Sequence, residues 1–305
     1  MNWRLHLSDS PIHTLHLLSS DSSVMLAIWL KASELAFYAA ENGALLDVRN
    51  VSYPVNLSPT SDGWPVFVDS LRAPNGIYLP VINTGLWKIY TSHDGRLRVY
   101  QGHDHLLILD ADGWQSFLER DGEAEVVAVG LDRELGTIGA LSADGLLHIY
   151  QQHIYLGAYP VSLTSGTTPP LLLLPDALGC VILIDAESIQ VVDTAGQVLR
   201  HVMLSAPLSA AACSPDGSRM VILDRGTAIL RIFDSQLNLI RQQSALDLME
   251  NATQLQLLAG LPGPDISSSS VDITNDGLVA FALDGAVCLI HTTEIATAPR
   301  TRALF

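Results

Sequence analysis

RLRVYQ (96–101), LLHIYQ (146–151), SIQVVD (188–193), ILRIFD (229–234) and AVCLIH (286–291) are five versions of one strand. Each is six residues long, largely apolar through its centre, and closes on a polar residue. A turn precedes each: His93-Asp94-Gly95, Ala143-Asp144-Gly145, Asp185-Ala186-Glu187, Asp224-Arg225-Gly226 and Asp284-Gly285. A second glycine, Gly85, Gly136, Gly179, Gly217 or Gly277, stands 13–16 residues before the fifth residue of each strand. Gly and Asp at such points supply the φ > 0 or preset bend that a tight turn between strands needs.

The complete unit is visible in 207–243: PLSAAACS, the turn SPDG (214–217), SRMVILD, the turn at Arg225-Gly226, ILRIFD, Ser235-Gln236-Leu237-Asn238 and LIRQQ. That is four short strands. In ILRIFD, Leu230, Ile232 and Asp234 face one way and Ile229, Arg231 and Phe233 the other, so both faces carry bulk. Strands sandwiched between neighbouring sheets have this character. The layout recurs over 122–165 and 166–206, and VDIT, LVAFAL and AVCLIH supply three strands of the last unit. Weaker copies stand at ELAFYA (34–39) and WPVFVD (64–69).

Aligned on the fifth strand position, Tyr38, Val68, Tyr100, Tyr150, Val192, Phe233 and Ile290 are separated by 30, 32, 50, 42, 41 and 57 residues. A period near 40 with four strands per repeat predicts an all-β chain, a single β-propeller domain over residues 1–305. Seven blades of about 43 residues fit the length. Six remain open, because four strands rarely fit into an interval of 30. Ring closure falls to the alternating segment Trp3-Arg4-Leu5-His6-Leu7, which is expected to add the outer strand to the last blade.

These residues resemble the β-propeller superfamily of tryptophan–aspartate (WD) repeat and YVTN-like repeat proteins. Phe233-Asp234, Val192-Asp193 and Leu109-Asp110 are degenerate counterparts of the Trp-Asp that often closes the family's third strand, and Gly102-His103 echoes its Gly-His pair. Tyr100-Gln101, Tyr150-Gln151 and Ile290-His291 depart from the pattern. The resemblance implies a protein-interaction scaffold. It is unspecific for function, since one superfold hosts many activities.

Composition narrows the classes. With 16 Lys and Arg against 32 Asp and Glu, the formal charge is −16, which argues against binding a nucleic-acid backbone and admits partners with a basic surface. Apolar runs such as LLLL (171–174) and VILI (181–184) are strand-length, well short of the roughly 20 residues of a spanning helix. The N-terminus lacks the apolar stretch of a secretory signal, so a cytoplasmic location is expected. Cys180, Cys213 and Cys288 are expected to be buried, reduced thiols.

One segment breaks the β pattern. Over 244–261, Ser244 with Asp247 three residues on suggests a helix start, Leu248, Ala252, Leu255 and Leu258 recur at helical spacing, and Gly260 suits a C-terminal cap. A helix has no place in a four-stranded blade. Leu248, Leu255 and Leu258, with Met249 as an adaptable contact, either pack onto the propeller or meet another protein.

The remaining candidates are weaker. His103 and His105 share a strand face and are metal-ligand candidates around Asp104, but no third ligand stands at a recognised spacing, and a solvated turn is the favoured reading. Asp110-Ala111-Asp112-Gly113 resembles part of a calcium loop until Trp114 stands where the next oxygen ligand belongs. In the resembled family the turns before the third strands share one face. Asp62, Asp94, Asp144, Asp185, Asp224 and Asp284 would there form a carboxylate ring for a basic partner or cation, beside their ordinary role in turns. No hydrolase serine, phosphate loop or zinc-protease helix occurs. The expected function is a non-catalytic scaffold without cofactor, docking proteins through loop faces and the inserted helix. The alternative is a ligand-binding or metal-dependent, lactonase-like enzyme using the central funnel.

Overall fold

The structure, a computed structural model, describes residues 2–6, 12–19, 23–30, 34–50, 57–59, 65–67, 88–91, 97–101, 105–109, 115–119, 125–132, 134–152, 154–163, 170–175, 179–224, 227–251, 253–254, 270–283 and 286–295. In chain order the strands are β1 (Asn2–His6), β2 (Ile12–Ser19), β3 (Val24–Leu30), β4 (Glu34–Ala39), β5 (Leu45–Asn50), β6 (Leu57–Pro59) and β7 (Pro65–Phe67). There follow β8 (Lys88–Thr91), β9 (Arg98–Gln101), β10 (His105–Leu109), β11 (Gln115–Glu119), β12 (Val126–Leu131), β13 (Thr137–Ser142), β14 (Leu146–Gln151) and β15 (Ile154–Pro160). The next two units are β16 (Leu171–Leu173), β17 (Cys180–Ile184), β18 (Ser188–Asp193), β19 (Val198–Met203) and β20 (Leu208–Cys213), β21 (Arg219–Asp224), β22 (Ile229–Asp234), β23 (Leu239–Ser244). The helix α1 (Ala245–Asn251), then β24 (Thr253–Gln254), β25 (Ser270–Ile273), β26 (Leu278–Leu283) and β27 (Ala286–His291) complete the order.

Among the described residues five sheets are four-stranded: β2–β5, β8–β11, β12–β15, β16–β19 and β20–β23, each with its strands side by side in sequence order. Hairpin-connected neighbours are what short Gly- and Asp-containing turns dictate. Gly136, Gly179, Gly217 and Gly277, between first and second strands, all take positive φ as their spacing predicts.

The chain divides into two compact units, residues 1–17, 25–49 and 208–305, and residues 18–24 and 50–207. In the second unit, RLRVYQ corrects the sequence alignment. Its strand β9 is the second of its sheet, paired with β8 and β10, and the third strand is β10, which ends at Leu109. Counted from Leu109, the step to Tyr150 is 41 residues, in line with the two steps that follow. WPVFVD contributes β7, paired with β6 in a two-stranded sheet, Leu57 opposite Phe67.

In the first unit, β1 runs antiparallel to β27, from Asn2 opposite Ile290 to His6 opposite Ala286. The N-terminal strand is thus the fourth strand of the sheet that also holds β25 and β26. A fifth strand was not legible in sequence: β24 runs parallel along the other edge of β1, Trp3 opposite Thr253 and Arg4 opposite Gln254. The helix is correspondingly shorter than the 244–261 pattern suggests. It starts where expected, with the Asp247 N–H donating to Ser244 Oγ at 3.3 Å, but ends at Asn251, and the chain turns to strand two residues later. Leu255 and Leu258 lie outside the described residues.

The core is made by the middle strands. In β13 every residue is buried, and in β17, β21 and β26 all but one end residue are. One cluster joins Val221, Leu223, Leu230 and Ile232 to Val279, Phe281, Cys288 and Ile290, locking adjacent sheets of the first unit face to face. Each fully buried aliphatic chain contributes roughly 1.5–3 kcal/mol. Burial pushes the Cys288 thiol up to about 12 and raises that of Cys180, so neither is an activated thiolate.

Candidate functional site

The turn carboxylates separate into two kinds. Asp144 is exposed and accepts from the Ser142 hydroxyl. Asp185 and Asp224, by contrast, are 3% and 2% exposed, which corrects the expected carboxylate ring at these positions. Asp185 Oδ1 accepts the backbone N–H groups of Glu187 (3.0 Å) and Ser188 (2.7 Å), closing its turn. Asp224 receives the Arg231 guanidinium at 2.5 Å and the Thr227 hydroxyl at 3.1 Å. Burial raises the Asp224 carboxyl's pKa, against the opposing pull of Arg231 and Thr227. Their physical role is internal: a buried carboxylate needs its partners and has none to spare for a ligand. Asp62, Asp94 and Asp284 lie outside the described residues.

Arg231, Gln190 and His148 occupy the same third position of their strands, and each buried polar chain is answered differently. Arg231 meets Asp224. Gln190 Nε2 donates to the Ser162 carbonyl at 2.6 Å. His148 stacks on Tyr155, whose hydroxyl lies 3.4 Å from Nδ1. The aspartates that end β18 and β22 repeat a single turn. Asp193 Oδ1 accepts from Ala195 and Gln197, and Asp234 Oδ1 from Gln236 and Asn238, all at 2.8–2.9 Å. The Asp of the degenerate Trp-Asp pair therefore has a structural task, satisfying turn N–H groups.

A second polar cluster joins two sheets of the first unit. Asp216 N–H donates to Asn275 Oδ1 at 3.0 Å and Arg219 donates to the Asn275 carbonyl. Burial works against the Asp216 charge, but hydrogen bonds from Ser214 and Ser218 and the nearby Arg219 outweigh it and hold the carboxyl below its ordinary pKa.

The helix candidates are also internal. Leu248 and Met249 are 2% and 6% exposed and belong to the core of the first unit, so of the two readings of α1 the packing one applies to them. Leu246 is the outward apolar residue of that helix. His103, Asp104, Asp110 and Asp112 lie outside the described residues, and His105 begins β10 opposite Glu119. Among the described residues no group of three or more His, Cys, Asp or Glu is placed to hold a metal ion. No described helix is long and apolar enough to cross a membrane.

What sequence reasoning missed is the outer strands. Of the twelve exposed large apolar side chains among the described residues, ten stand on fourth strands: Leu45, Leu46 and Val48 on β5, Ile154, Tyr155 and Leu156 on β15, Val198, Leu199 and Met203 on β19, and Leu239 on β23. Among the described residues such strands end their sheets, which sets these apolar side chains beside a sheet edge. The signal was present in IYLGAYP, three consecutive large apolar residues without a charge, but core strands in this chain look the same.

No protein-family model and no curated protein sequence matches the chain. Solved structures do. The chain is similar to the β-propeller domain of Cps50 (Swd1) from Myceliophteria thermophila, with a TM-score of 0.64 at 11% identity over 93% of this chain and 97% of that one. It is also similar to KlHsv2 with loop 6CD replaced by a Gly-Ser linker, with a TM-score of 0.56 at 11% identity over 91% and 90%. A third likeness is to Chaetomium thermophilum Raptor, with a TM-score of 0.55 at 11% identity over 94% of this chain and 24% of that one. At such identity the likeness shows the fold alone: the protein is a β-propeller, built of four-stranded antiparallel sheets.

Proposed function

We propose that residues 1–305 form one propeller domain that serves as a non-catalytic protein-interaction scaffold in the cytoplasm. The observation that carries this reading is the concentration of exposed apolar side chains on the fourth strands. Apolar area rimmed by polar residues marks a surface that another molecule covers. The charge of −16 favours partners with a basic surface, and exposed Asp144 contributes to that field. The propeller fold of the three similar structures is compatible with this reading and does not by itself select it.

Gentle purification of the native protein from its own cells, followed by mass photometry, tests the scaffold. A defined complex with another protein is expected. Recovery as a free monomer at physiological salt would contradict the reading.

A further inference from the structure

Among the described residues the fourth strands β5, β11, β15, β19 and β23 each end their sheet with one edge open, whereas β1 has β24 laid along its outer side. This molecule therefore already contains one fourth strand extended by a fifth. Open edges are usually protected against further pairing by charged residues. Charged residues stand in β5 (Asp47, Arg49), β19 (Arg200) and β23 (Arg241). None stands in β15, whose sequence IYLGAYP begins with three exposed apolar residues, Ile154 at 57%, Tyr155 at 51% and Leu156 at 45%.

We propose that the open edge of β15 accepts an extended segment of a partner protein as a fifth strand, a segment with apolar side chains through its centre and Lys or Arg at its flanks. The proposal rests on the scaffold reading and gives it a location and a partner chemistry. Main-chain hydrogen bonds along β15 would hold the segment, and its side chains would choose the partner. Tyr155 is prepared for such contact. Its ring packs against Tyr150 with centroids 5.1 Å apart and stacks on His148 at 6.1 Å, so the half-exposed phenol is held in place before a partner arrives.

The flanking charge follows from what stands at the two ends of the strand. The Gln152 N–H donates to the Gly136 carbonyl at 2.7 Å, placing the start of β15 beside the turn that bears exposed Glu134. The Val161 N–H donates to the Gly145 carbonyl at 2.9 Å, placing its end beside the turn that bears exposed Asp144. Between Arg133 and Arg200 the chain contains six acidic residues and no further Lys or Arg, and of the six Asp185 is buried in its own turn. A basic-flanked segment is attracted there and an acidic one repelled.

A displayed library of random nine-residue peptides, selected on the intact protein and measured by fluorescence anisotropy, tests the proposal. Selected peptides should have an apolar centre and basic flanks, and should bind less tightly as salt rises. Their affinity should fall about ten-fold or more in the Ile154→Lys/Leu156→Lys variant, an effect expected of interface anchors. The milder Ile154→Ser/Leu156→Ser variant should weaken binding in the same direction, and Leu199→Lys on β19 should leave it unchanged. Thermal melting of each variant checks that the fold survives. Selection of peptides without basic flanks, or equal binding by both β15 variants, would overturn the proposal. So would a homodimer that disappears in those variants, since the edge would then belong to a second copy. If native complexes form undiminished with the β15 variants, the edge assignment fails while the scaffold reading stands.

Discussion

Gly196 lies against the ring of Tyr159, so that a Cβ placed at residue 196 would stand 2.2 Å from the ring carbons. The contact ties the turn before β19 to the end of β15, the outer strand of the preceding sheet. Its φ of +78° excludes a side chain a second time.

Gly196→Ala should therefore cost roughly 2–4 kcal/mol, combining left-handed strain with overpacking. Gly179→Ala isolates the strain, because Gly179 has φ +58° and nothing within 4 Å of its missing Cβ; about 1–2 kcal/mol is expected there. Urea unfolding of the two variants measures the difference. Equal losses would mean that the Tyr159 contact contributes nothing.

For α1, Leu248→Ala should lose about 2–5 kcal/mol as a buried core leucine, while Leu246→Ala, at a residue 47% exposed, should stay within about 0.5 kcal/mol. Calorimetric melting of both variants separates the buried face of the helix from the outward one.

Much of the fold was legible because turn chemistry is local. Gly136, Gly179, Gly217 and Gly277 marked the hairpins from spacing alone, and the alternation in WRLHL marked the strand that pairs with β27. The misplacement of RLRVYQ has a physical cause: β9 and β10 are adjacent strands of one sheet, Val99 of the one and Leu106 and Ile108 of the other are all buried, and residue pattern does not distinguish second from third. The over-long helix came from a leucine spacing that continues past Asn251, where pairing of Thr253 and Gln254 with β1 overrides helix propensity. The proposed docking edge was illegible for a related reason. Ile154-Tyr155-Leu156 reads like a core strand, and only the sheet order places it at an edge.

Acid should weaken the turn between β20 and β21, where the Asp216 carboxylate accepts from Ser214 and Ser218. The Asp216 carboxyl has a lowered folded-state pKa, so its stabilisation is fully present above the ordinary carboxylate range near 4 and is lost as pH falls through the lower folded value. Asp216→Asn should flatten that part of the stability–pH profile below pH about 4 and lower stability at neutral pH. Denaturant unfolding from pH 7 down to 3 reads both effects, and parallel profiles for variant and wild type would count against the assignment.

Deleting residues 1–6 removes the strand held between β27 and β24. The melting temperature should fall markedly, and amide exchange should quicken in β27, whose outer edge loses its partner. An unchanged melting curve would contradict the closure.

The central claim is that partners dock on the outer strands. It is tested most directly by replacing Ile154, Leu156, Val198 and Leu199 together with Ser and weighing the natively purified protein by mass photometry beside wild type. The claim predicts an intact fold, with an unchanged melting temperature, that is recovered as a monomer where wild type is recovered in complex. Complexes of undiminished mass and yield from the variant would contradict it.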